Sequence, residues 1–462
     1  MNALPVLIVG AGWAGLSAAV HLCRAGVPVQ VLEAAPQAGG RARQLMLSWD
    51  GVDIAVDNGQ HLLIGAYRET LALIDFLKGR GMVRMPMRWE NAAGLSIQRQ
   101  SRPADGMQGA SMRDQLAESW SMLGALFNAK GMSLRVRMHL IRTLIQSRLG
   151  NWRPPVGVRT VSEWYERTEQ PAMLVEQFWN PLVLSAMNTP PEIACAFTFL
   201  RVLSNAMGRE PAASDFIFAG TDLGQLFVEP AIEYLDSQQV PVMLRSPVRE
   251  IRWAPDGSGY QIRAQHQDKG DLLCVGRQLV LACPPAISAR LLRGMVPDSV
   301  LTPLERFDYR PITTAYVGWR ADHPQLPASL PAMFSLHEKE RGAEPAHWFF
   351  DRGVQQGWHV GAVVISDSEA ALAMGDEQLK AAVIAQLART LKLPAPEQLS
   401  FIHDKRATFS CTPDRPVVPP GYLGSHLPDI ALAGDYAYGA FPATLEGAVR
   451  AGRLAAEFLM DR

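Results

Sequence analysis

Two apolar runs flank a helical pattern at the start of the chain. Residues 6–9 (Val-Leu-Ile-Val) and 29–32 (Val-Gln-Val-Leu) are short and rich in β-branched residues, as in buried parallel strands. Between them, apolar residues recur three or four positions apart at Leu16, Ala19, Val20 and Cys23. Gly26 stands where such a helix would end. The pattern predicts a strand–helix–strand unit.

Strand-like apolar runs return in later parts of the chain, at residues 240–244, 248–253, 279–282, 313–319, 360–365 and 430–433. The last of these runs precedes a final helical pattern that continues through Leu459. Residues 91–151 differ, because they are rich in Met and favour helix. Alternating strand and helix patterns of this kind predict an α/β fold.

Residues 132–152 combine apolar and basic positions at helical spacing. The apolar positions are Leu134, Met138, Leu140, Ile141, Leu144 and Ile145, and the basic ones are Arg135, Arg137, Arg142 and Arg148. One interpretation is a helix with a core face and a solvated basic face. The other is a helix that lies on a membrane surface.

Composition narrows the class of protein. The chain has 462 residues, of which 48% are hydrophobic, and a formal net charge of -1. That charge gives no field to attract nucleic acid, so no nucleic-acid partner is expected. The five cysteines are scattered without metal-site or disulfide spacing, which favours a reducing, cytoplasmic setting. No apolar run reaches the roughly 18 residues of a spanning helix, so we expect a protein that is soluble or sits on the inner face of the cytoplasmic membrane.

A glycine motif follows the first strand and opens the first helix. Gly10 permits a tight turn, Gly12 lets a pyrophosphate approach the backbone, and Gly15 lets the helix pack on the strand. Glu33 ends the next strand, where a carboxylate can accept hydrogen bonds from a ribose diol. A 2'-phosphate beside Glu33 would place two negative charges together, so the cofactor is FAD or NAD.

These motifs predict a Rossmann-type domain interleaved with a mixed sheet-plus-helix substrate-binding domain. Residues 1–90, 220–295 and 405–462 would form the first domain. Residues 91–219 and 296–404 would form the second, including the helical segment that one interpretation places against a membrane. Each domain is therefore assembled from pieces that are not contiguous in the chain.

The sequence after Glu33 carries a second glycine motif, Gly39-Gly40-Arg41. It resembles the extension found in the amine oxidase and phytoene desaturase superfamily of flavoproteins. That resemblance implies that the cofactor is FAD, that the Rossmann-type domain is the FAD-binding domain, and that Arg41 lies near the FAD phosphates or the flavin. The alternative for Arg41 is a surface side chain after a turn.

Residues 430–448 resemble the closing motif of the same superfamily. An apolar strand ends in Gly434-Asp435, and Leu445 to Ala448 open the last helix. The resemblance implies that Asp435 binds the ribitol or phosphate and that the helix N-terminus faces the flavin, where its dipole would stabilise an anionic reduced ring. Asp435 as a helix cap is the alternative.

The predicted FAD contacts come from the two glycine motifs, from the end of the second strand, from residues 59–61, from the start of the strand at 248–253 and from the closing motif. They are Gly10, Ala11, Gly12, Ala14, Gly15, Glu33, Ala34, Gly40, Arg41, Gly59, Gln60, His61, Val248, Gly434, Asp435, Leu445 and Ala448. The resemblance implies that the Val248 amide meets the adenine.

Residues 57–61 (Asp-Asn-Gly-Gln-His) form the most distinctive polar cluster outside the cofactor motifs. Gly59 permits close backbone approach, and Gln60 and His61 offer hydrogen bonds to a flavin or a substrate oxygen. We predict His61, Asp57 and Tyr438 as candidate catalytic residues, with Tyr436 as a further candidate. A structural role for each is the alternative.

The stretches Gly10 to Leu22, Val31 to Arg43 and Asp57 to Leu71 resemble the bacterial squalene-associated FAD-dependent desaturases. Members of that family are understood as hydroxysqualene dehydroxylases of hopanoid biosynthesis. The resemblance implies reductive removal of the hydroxyl of hydroxysqualene by hydride from reduced FAD. It further implies a long isoprenoid lipid substrate, peripheral membrane contact and a separate reductant for the flavin.

Three other functions share parts of the pattern. A carotenoid or phytoene-type desaturase and an amine oxidase would use the same fold. A lipid escort that has lost its flavin is a third alternative, which the presence of Gly10, Gly12, Gly15, Glu33 and Asp435 disfavours.

Overall fold

The computed structural model describes residues 4–99, 121, 124–207, 212–337 and 344–462. Its strands, numbered in chain order, are β1 (Val6–Val9), β2 (Val29–Leu32), β3 (Gln44–Trp49), β4 (Val52–Asp57), β5 (Leu63–Ile64), β6 (Met82–Met85), β7 (Arg88–Glu90), β8 (Ser96–Gln98), β9 (Phe216–Ala219), β10 (Val242–Met243), β11 (Val248–Trp253), β12 (Tyr260–His266), β13 (Gly270–Gly276), β14 (Gln278–Leu281), β15 (Tyr309–Arg320), β16 (Met333–Ser335), β17 (Trp348–Gln355), β18 (Trp358–Ser366), β19 (Gln398–Phe409) and β20 (Ile430–Leu432).

Its α-helices are α1 (Trp13–Arg24), α2 (Arg68–Phe76), α3 (Leu134–Leu149), α4 (Val161–Arg167), α5 (Ala172–Leu174), α6 (Asn180–Met187), α7 (Ala196–Ala206), α8 (Glu229–Ser237), α9 (Pro285–Leu292), α10 (Asp298–Glu305), α11 (Glu369–Met374), α12 (Asp376–Thr390) and α13 (Leu445–Met460). Two π-helical turns, Val175–Trp179 and Gly224–Val228, lead into α6 and α8. Among the helices so described, none is long and apolar enough to cross a membrane.

A parallel five-stranded sheet forms the first large layer, with the strand order β10-β2-β1-β14-β20. Successive side chains of β1 point to opposite faces of this sheet. Val6 and Ile8 pack in the same core cluster as α1 and α13, whereas Leu7 and Val9 pack in the cluster that contains the β11–β13 meander. Because both faces are covered, most residues of these strands are apolar.

The first and last described helices, α1 and α13, pack closely against each other. A Cβ at Gly452 would lie 2.3 Å from the carbonyl oxygen of Ala14. The Ser17 hydroxyl donates a hydrogen bond to the Val449 carbonyl at 2.8 Å. This contact brings the two ends of the described chain together beside the parallel sheet.

An antiparallel sheet with the order β16-β17-β18-β15-β19 forms the second large layer. Helices α11 and α12 cover one of its faces, where Leu379, Val383 and Leu387 share a core cluster with Val317 and Trp319. The Tyr316 hydroxyl donates to the Asp57 carbonyl at 2.9 Å. The second sheet therefore reaches the end of β4, where the polar cluster of residues 57–61 begins.

The predicted α/β fold is confirmed, with its Rossmann-type sheet and its mixed sheet-plus-helix region. Strands β1, β2 and β11 have the predicted bounds. The strand predicted at 240–244 is shorter, because the Val240 amide closes the end of α8 by donating to the Leu235 carbonyl at 2.9 Å. The parallel sheet draws its strands from the three pieces assigned to the FAD-binding domain, and the domain boundaries stay a prediction.

Candidate active site

A tight glycine turn joins β1 to α1. Gly10 has a φ of +108°, and a Cβ there would lie 2.7 Å from the carbonyl oxygen of Ala282. A Cβ at Gly15 would lie 1.9 Å from the carbonyl oxygen of Gly10. A larger residue at either position would push against backbone, so these glycines let the helix start directly on the strand.

The first turn of α1 keeps its amide donors free of side-chain caps. Gly12 is the N-cap residue, and within the described residues no side chain caps this end or places a carboxylate in its first turn. By contrast, the Thr444 hydroxyl caps α13 by accepting from the Gly447 amide at 3.0 Å. An uncapped N-terminus with a favourable dipole fits the pyrophosphate of a dinucleotide.

Glu33 is held beside this turn by two backbone amides. Its Oε2 accepts from the Ala11 amide at 2.6 Å, and its Oε1 accepts from the Ala35 amide at 2.8 Å. Each carboxylate oxygen has a second lone pair and can accept another hydrogen bond. The geometry therefore fits the predicted ribose contact, which stays a prediction together with the contact at Ala34.

The second glycine motif packs directly on the first. The Gly39 amide donates to the Ala11 carbonyl at 2.8 Å, and Gly12 and Gly39 form a parallel bridge. Gly40 has a φ of +62°, and a Cβ there would lie 3.2 Å from the Cα of Gly12. Side chains at these positions would fill the space above the turn, so the two motifs form one backbone cradle.

Arg41 joins the cradle to the C-terminal motif. Its Nη2 lies 2.6 Å from Asp435 Oδ1, and its Nη1 donates to the Ala407 carbonyl at 2.6 Å. Asp435 therefore binds Arg41, while Thr444 occupies the cap position of α13. The alternative of Asp435 as the cap of this helix is therefore wrong. The Arg41 side chain is 42% exposed, so its contact with the cofactor stays a prediction.

The other predicted cofactor residues of the C-terminal motif lie at the end of β20 and at the start of α13. A Cβ at Gly434 would lie 2.4 Å from the Tyr436 ring, which is buried. Leu445 begins α13, and Ala448 is buried one turn later in the cluster that contains α1. The start of α13 thus lies on the same side of the sheet as α1.

Val248 lies near Glu33. The Arg245 amide donates to the Ala35 carbonyl at 2.9 Å, and the Ser246 amide donates to the Glu33 carbonyl at 2.7 Å. Both hydrogen bonds hold the start of β11 next to the end of β2. The residues predicted to meet the adenosine part of the cofactor therefore share one region.

Asp57 forms a buried ion pair with Arg352. Its Oδ2 lies 3.1 Å from Arg352 Nη1, and both side chains are almost fully buried. Its Oδ1 accepts from the Leu223 amide at 2.7 Å. Burial raises the pKa of the Asp57 carboxyl, while Arg352 and the Leu223 amide lower it, and the net shift is upward.

Arg352 also organises the neighbouring residues. Its Nη1 donates to Gln60 Oε1 at 2.8 Å, and its Nη2 donates to the Thr221 carbonyl. The side-chain oxygen of Gln60 therefore accepts a hydrogen bond from Arg352. The predicted contact between Gln60 and the flavin stays a prediction. The guanidinium holds residues 57–60 against β17.

His61 is fixed through one ring nitrogen. Nδ1 lies 2.8 Å from the Gly59 carbonyl oxygen, which can only accept, so Nδ1 carries the hydrogen. Nε2 is then the nitrogen left for a ligand. Burial lowers the pKa of His61 below its usual 6.5, although Asp57 and the Gly59 carbonyl act in the opposite direction. A mainly neutral imidazole at neutral pH follows.

Tyr438 contacts residues that accompany α13. Its ring stacks on Phe441 with centroids 6.4 Å apart. Its hydroxyl lies 3.4 Å from Arg450 Nη1, and the Arg450 guanidinium lies 5.5 Å from its ring. The catalytic roles of Tyr438, Asp57 and His61 stay predictions.

Three further residues of this region were not singled out from the sequence. Arg352 is one. Thr314 is the second, because its buried hydroxyl has no hydrogen-bond partner among the described residues and a Cβ at Gly59 would lie 3.7 Å from it. Glu446 is the third. The sequence carried a signal for two of them, namely the charged pair Asp351-Arg352 in β17 and the closing motif that contains Glu446.

Glu446 is fully buried and links α13 to α2. Its Oε2 accepts from the Thr70 amide at 2.9 Å and the Thr70 hydroxyl at 2.7 Å. Its Oε1 lies 2.7 Å from Arg450 Nε. The carboxylate thereby caps the start of α2 from the neighbouring helix, which is a structural role.

Comparison with protein families identifies a match over most of the chain. Residues 13–141 and 176–460 match the family described as flavin containing amine oxidoreductase. Hydroxysqualene dehydroxylase of Rhodopseudomonas palustris is 28% identical over 98% of both chains. That of Sinorhizobium fredii is 26% identical over 99% of this chain and 98% of its own. The resemblance predicted from the sequence motifs is therefore confirmed.

Solved structures share the fold at lower identity. Putrescine oxidase bound to putrescine has a TM-score of 0.65 and 17% identity, covering 99% of both chains. Cyclohexylamine oxidase from Brevibacterium oxydans has a TM-score of 0.66 and 16% identity, covering 100% of both chains. At this identity the likeness shows the fold alone.

Proposed function

The chain belongs to the flavin containing amine oxidoreductase family, and from that premise we propose that it converts hydroxysqualene to squalene as an FAD-dependent step of hopanoid biosynthesis. The observation that carries this proposal is the likeness to relatives named hydroxysqualene dehydroxylase, which spans 98% of this chain and 98% of the Rhodopseudomonas palustris protein. The family makes the chain a flavin-dependent oxidoreductase. The long isoprenoid substrate belongs to the proposal.

FAD is the flavin that suits the cradle. Its adenosine ribose would lie beside Glu33, and its pyrophosphate would lie at the start of α1, between Gly12 and Gly40. FMN has neither group. Asp435, Leu445 and Ala448 would hold the flavin end, next to Arg41. The cofactor would thus be bound by both terminal motifs.

A bound, reduced flavin supplies a hydride for this reaction. Hydroxide leaves poorly from carbon, so the carbinol oxygen must be protonated as it departs. The Gly59 carbonyl fixes Nδ1 of His61, which leaves Nε2 to bind that oxygen and, when protonated, to donate to it. Asp57 favours the protonated form of His61 through its charge.

The proposal is tested with the reduced holoenzyme under anaerobic conditions. Mixing it with hydroxysqualene should reoxidise the flavin in a single turnover and yield squalene, identified by mass spectrometry. The deuterium content of the product gives a second readout. Flavin that is reduced and reacted in deuterated water should deliver one deuterium to squalene. Flavin that stays reduced in the presence of hydroxysqualene contradicts the proposal.

The oxidised holoenzyme, with oxygen present for the first test and absent for the second, separates the two alternatives within the fold. An amine oxidase would consume oxygen and release peroxide with an amine. A desaturase would reduce the oxidised flavin on addition of a carotenoid precursor. We expect neither reaction, because the full-length relatives carry the name of the dehydroxylase.

Location and electron supply complete the proposal. We propose that the protein acts in the cytoplasm at the inner face of the membrane, where its substrate would dissolve, and that a separate cellular reductant recharges the flavin. All five cysteines are free thiols, as a reducing compartment would maintain them. Fractionation of cells that express the protein tests the location, and recovery outside the cytoplasmic membrane surface would contradict it.

A further inference from the structure

Helix α3 has apolar residues on two sides. Leu140 and Leu144 are buried in the main core cluster. Four other apolar residues of the helix are exposed, namely Leu134 (59%), Met138 (49%), Ile145 (46%) and Leu149 (82%). The helix has the core face and the solvated arginines that one interpretation expected, and it also exposes a second apolar side that packing leaves uncovered.

The exposed residues are aligned along the helix. At 3.6 residues per turn, Leu134, Met138, Ile145 and Leu149 fall within an arc of about 60° along the whole length of the helix. We call these four residues the outer stripe. Isolated apolar residues are common on protein surfaces, whereas an aligned row of four is not.

The inner side of α3 is fixed, so the outer stripe does not turn inwards. Gln170 Nε2 donates to the Thr143 hydroxyl at 3.1 Å, and Trp179 Nε1 donates to Gln170 Oε1 at 2.7 Å. At the other end, Arg137 Nη1 donates to the Phe127 carbonyl at 2.6 Å. Phe127, itself 53% exposed, adds a further apolar side chain beside the helix.

Positive charge surrounds the outer stripe. Arg135 and Arg142 are exposed and lie on one edge of it by helical position, and Arg148 is exposed and lies on the other edge. Residues 130–153 contain no Asp or Glu, although the chain as a whole has a net charge of -1. The segment is therefore basic in a protein that is otherwise slightly acidic.

We propose that the outer stripe docks on a membrane surface that contains anionic lipid. The four apolar side chains would enter the boundary between headgroups and acyl chains, and Arg135, Arg142 and Arg148 would bind lipid phosphates. A second copy of the chain fits less well, because a two-fold contact through this helix would bring the same arginines of both copies together. The surface does not depend on which substrate the active site accepts.

Vesicle flotation of the flavin-loaded protein tests the proposal. The probes are phosphatidylcholine vesicles with and without phosphatidylglycerol. Wild-type protein should float with the anionic vesicles and remain below the neutral ones. The double variant Met138→Glu/Ile145→Glu should lose flotation, and Arg135→Gln/Arg142→Gln should reduce partitioning about thirtyfold. Turnover is not measured, so failure of the proposed reaction does not affect the result.

Leu273→Glu is the matched control, because Leu273 on β13 is 63% exposed and lies outside the segment. It should float like the wild type. Flavin absorbance and the thermal melting temperature verify that each variant is folded. Flotation of Met138→Glu/Ile145→Glu at the wild-type level overturns the proposal. So does equal flotation of wild type with neutral vesicles, or a dimer in solution that this variant converts to a monomer.

Discussion

Arg41 Nη2 lies 2.6 Å from Asp435 Oδ1, and this ion pair connects the second glycine motif with the strand motif near the other end of the chain. The Arg41 guanidinium also donates to the Ala407 carbonyl. Asp435 is buried, so its charge has few other partners to replace Arg41. The pair holds the two halves of the proposed cofactor site together.

Arg41→Gln should weaken FAD binding about tenfold, because it removes the charge-assisted hydrogen bond to Asp435 beside the proposed cofactor site. Titration of the apoprotein with FAD, followed by flavin fluorescence, measures the effect. Arg320→Gln is the matched control, since Arg320 pairs with Asp50 at 2.6 Å and its side chain is 44% exposed, against 42% for Arg41. Equal Kd values for the two variants would contradict the prediction.

Alanine at Gly12 and at Gly15 should have different effects. A Cβ at Gly12 would be 3.8 Å from the nearest atom, the Cα of Gly40, and the φ of -73° suits any residue, so Gly12→Ala should fold. It should nevertheless lose flavin, because the methyl group occupies the approach of the pyrophosphate. Gly15→Ala should fail to fold, because its Cβ would overlap the Gly10 carbonyl.

Circular dichroism melting and flavin content of the purified protein measure both effects. Gly124→Ala is the control, because a Cβ there has open space. A Gly12→Ala protein with full flavin content would show that the pyrophosphate lies elsewhere.

Arg352→Met should destabilise the fold by about 3–5 kcal/mol, because it leaves the buried Asp57 carboxylate without its partner. Adding Asp57→Leu should recover much of that loss, since both charges are then absent. Urea unfolding of the apoprotein measures the change in free energy. Arg80→Met, which removes an exposed pair with Glu233, should cost less than about 1 kcal/mol. A double variant no more stable than Arg352→Met would argue against a simple ion-pair role.

His61→Gln should slow single-turnover flavin reoxidation about a hundredfold or more, the usual size of a general-acid contribution. Burial lowers the pKa of His61 below 6.5, so the protonated, donating form increases as the pH falls below that value. The wild-type rate should therefore rise with decreasing pH in this range, and the His61→Gln rate should not.

Stopped-flow absorbance over a pH series measures both rates, with the exposed His426→Gln as the control. A pH profile that is identical in the wild type and the His61→Gln variant would remove His61 as the proton donor. Asp57 and Tyr438 would then be the next candidates.

The sequence predicted features that depend on local patterns. Strands β1 and β2 are buried on both faces, so their apolar runs marked them with the right bounds. The two glycine motifs were each recognised from their spacing, whereas the direct contact between Gly39 and Gly12 came only from the structure. By contrast, Arg352 lies on β17, far along the chain from Asp57 at the end of β4. A local sequence pattern does not predict which strands of two different sheets will contact each other.

The outer stripe and Glu446 illustrate the same limit of local patterns. Leu134 and Leu140 have equal hydrophobicity, and only the tertiary contact with the segment around Gln170 decides which of them is covered. Glu446 belongs to a motif that resembles a flavin-binding sequence, yet its carboxylate caps α2. Its position in the motif did not reveal that partner.

Because α13 packs on α1, the fold around α1 can be completed only after the last residues of α13 have been synthesised. β1, α1 and the glycine turn leave the ribosome long before residues 430–460, which supply Asp435 and the covering helix. Until those residues arrive, β14 has an open edge and α1 exposes the surface around Ala14, Ser17 and Ala18 that lies next to Gly452. The nascent chain would therefore need protection from aggregation during this interval, and flavin would be retained only after the interval ends.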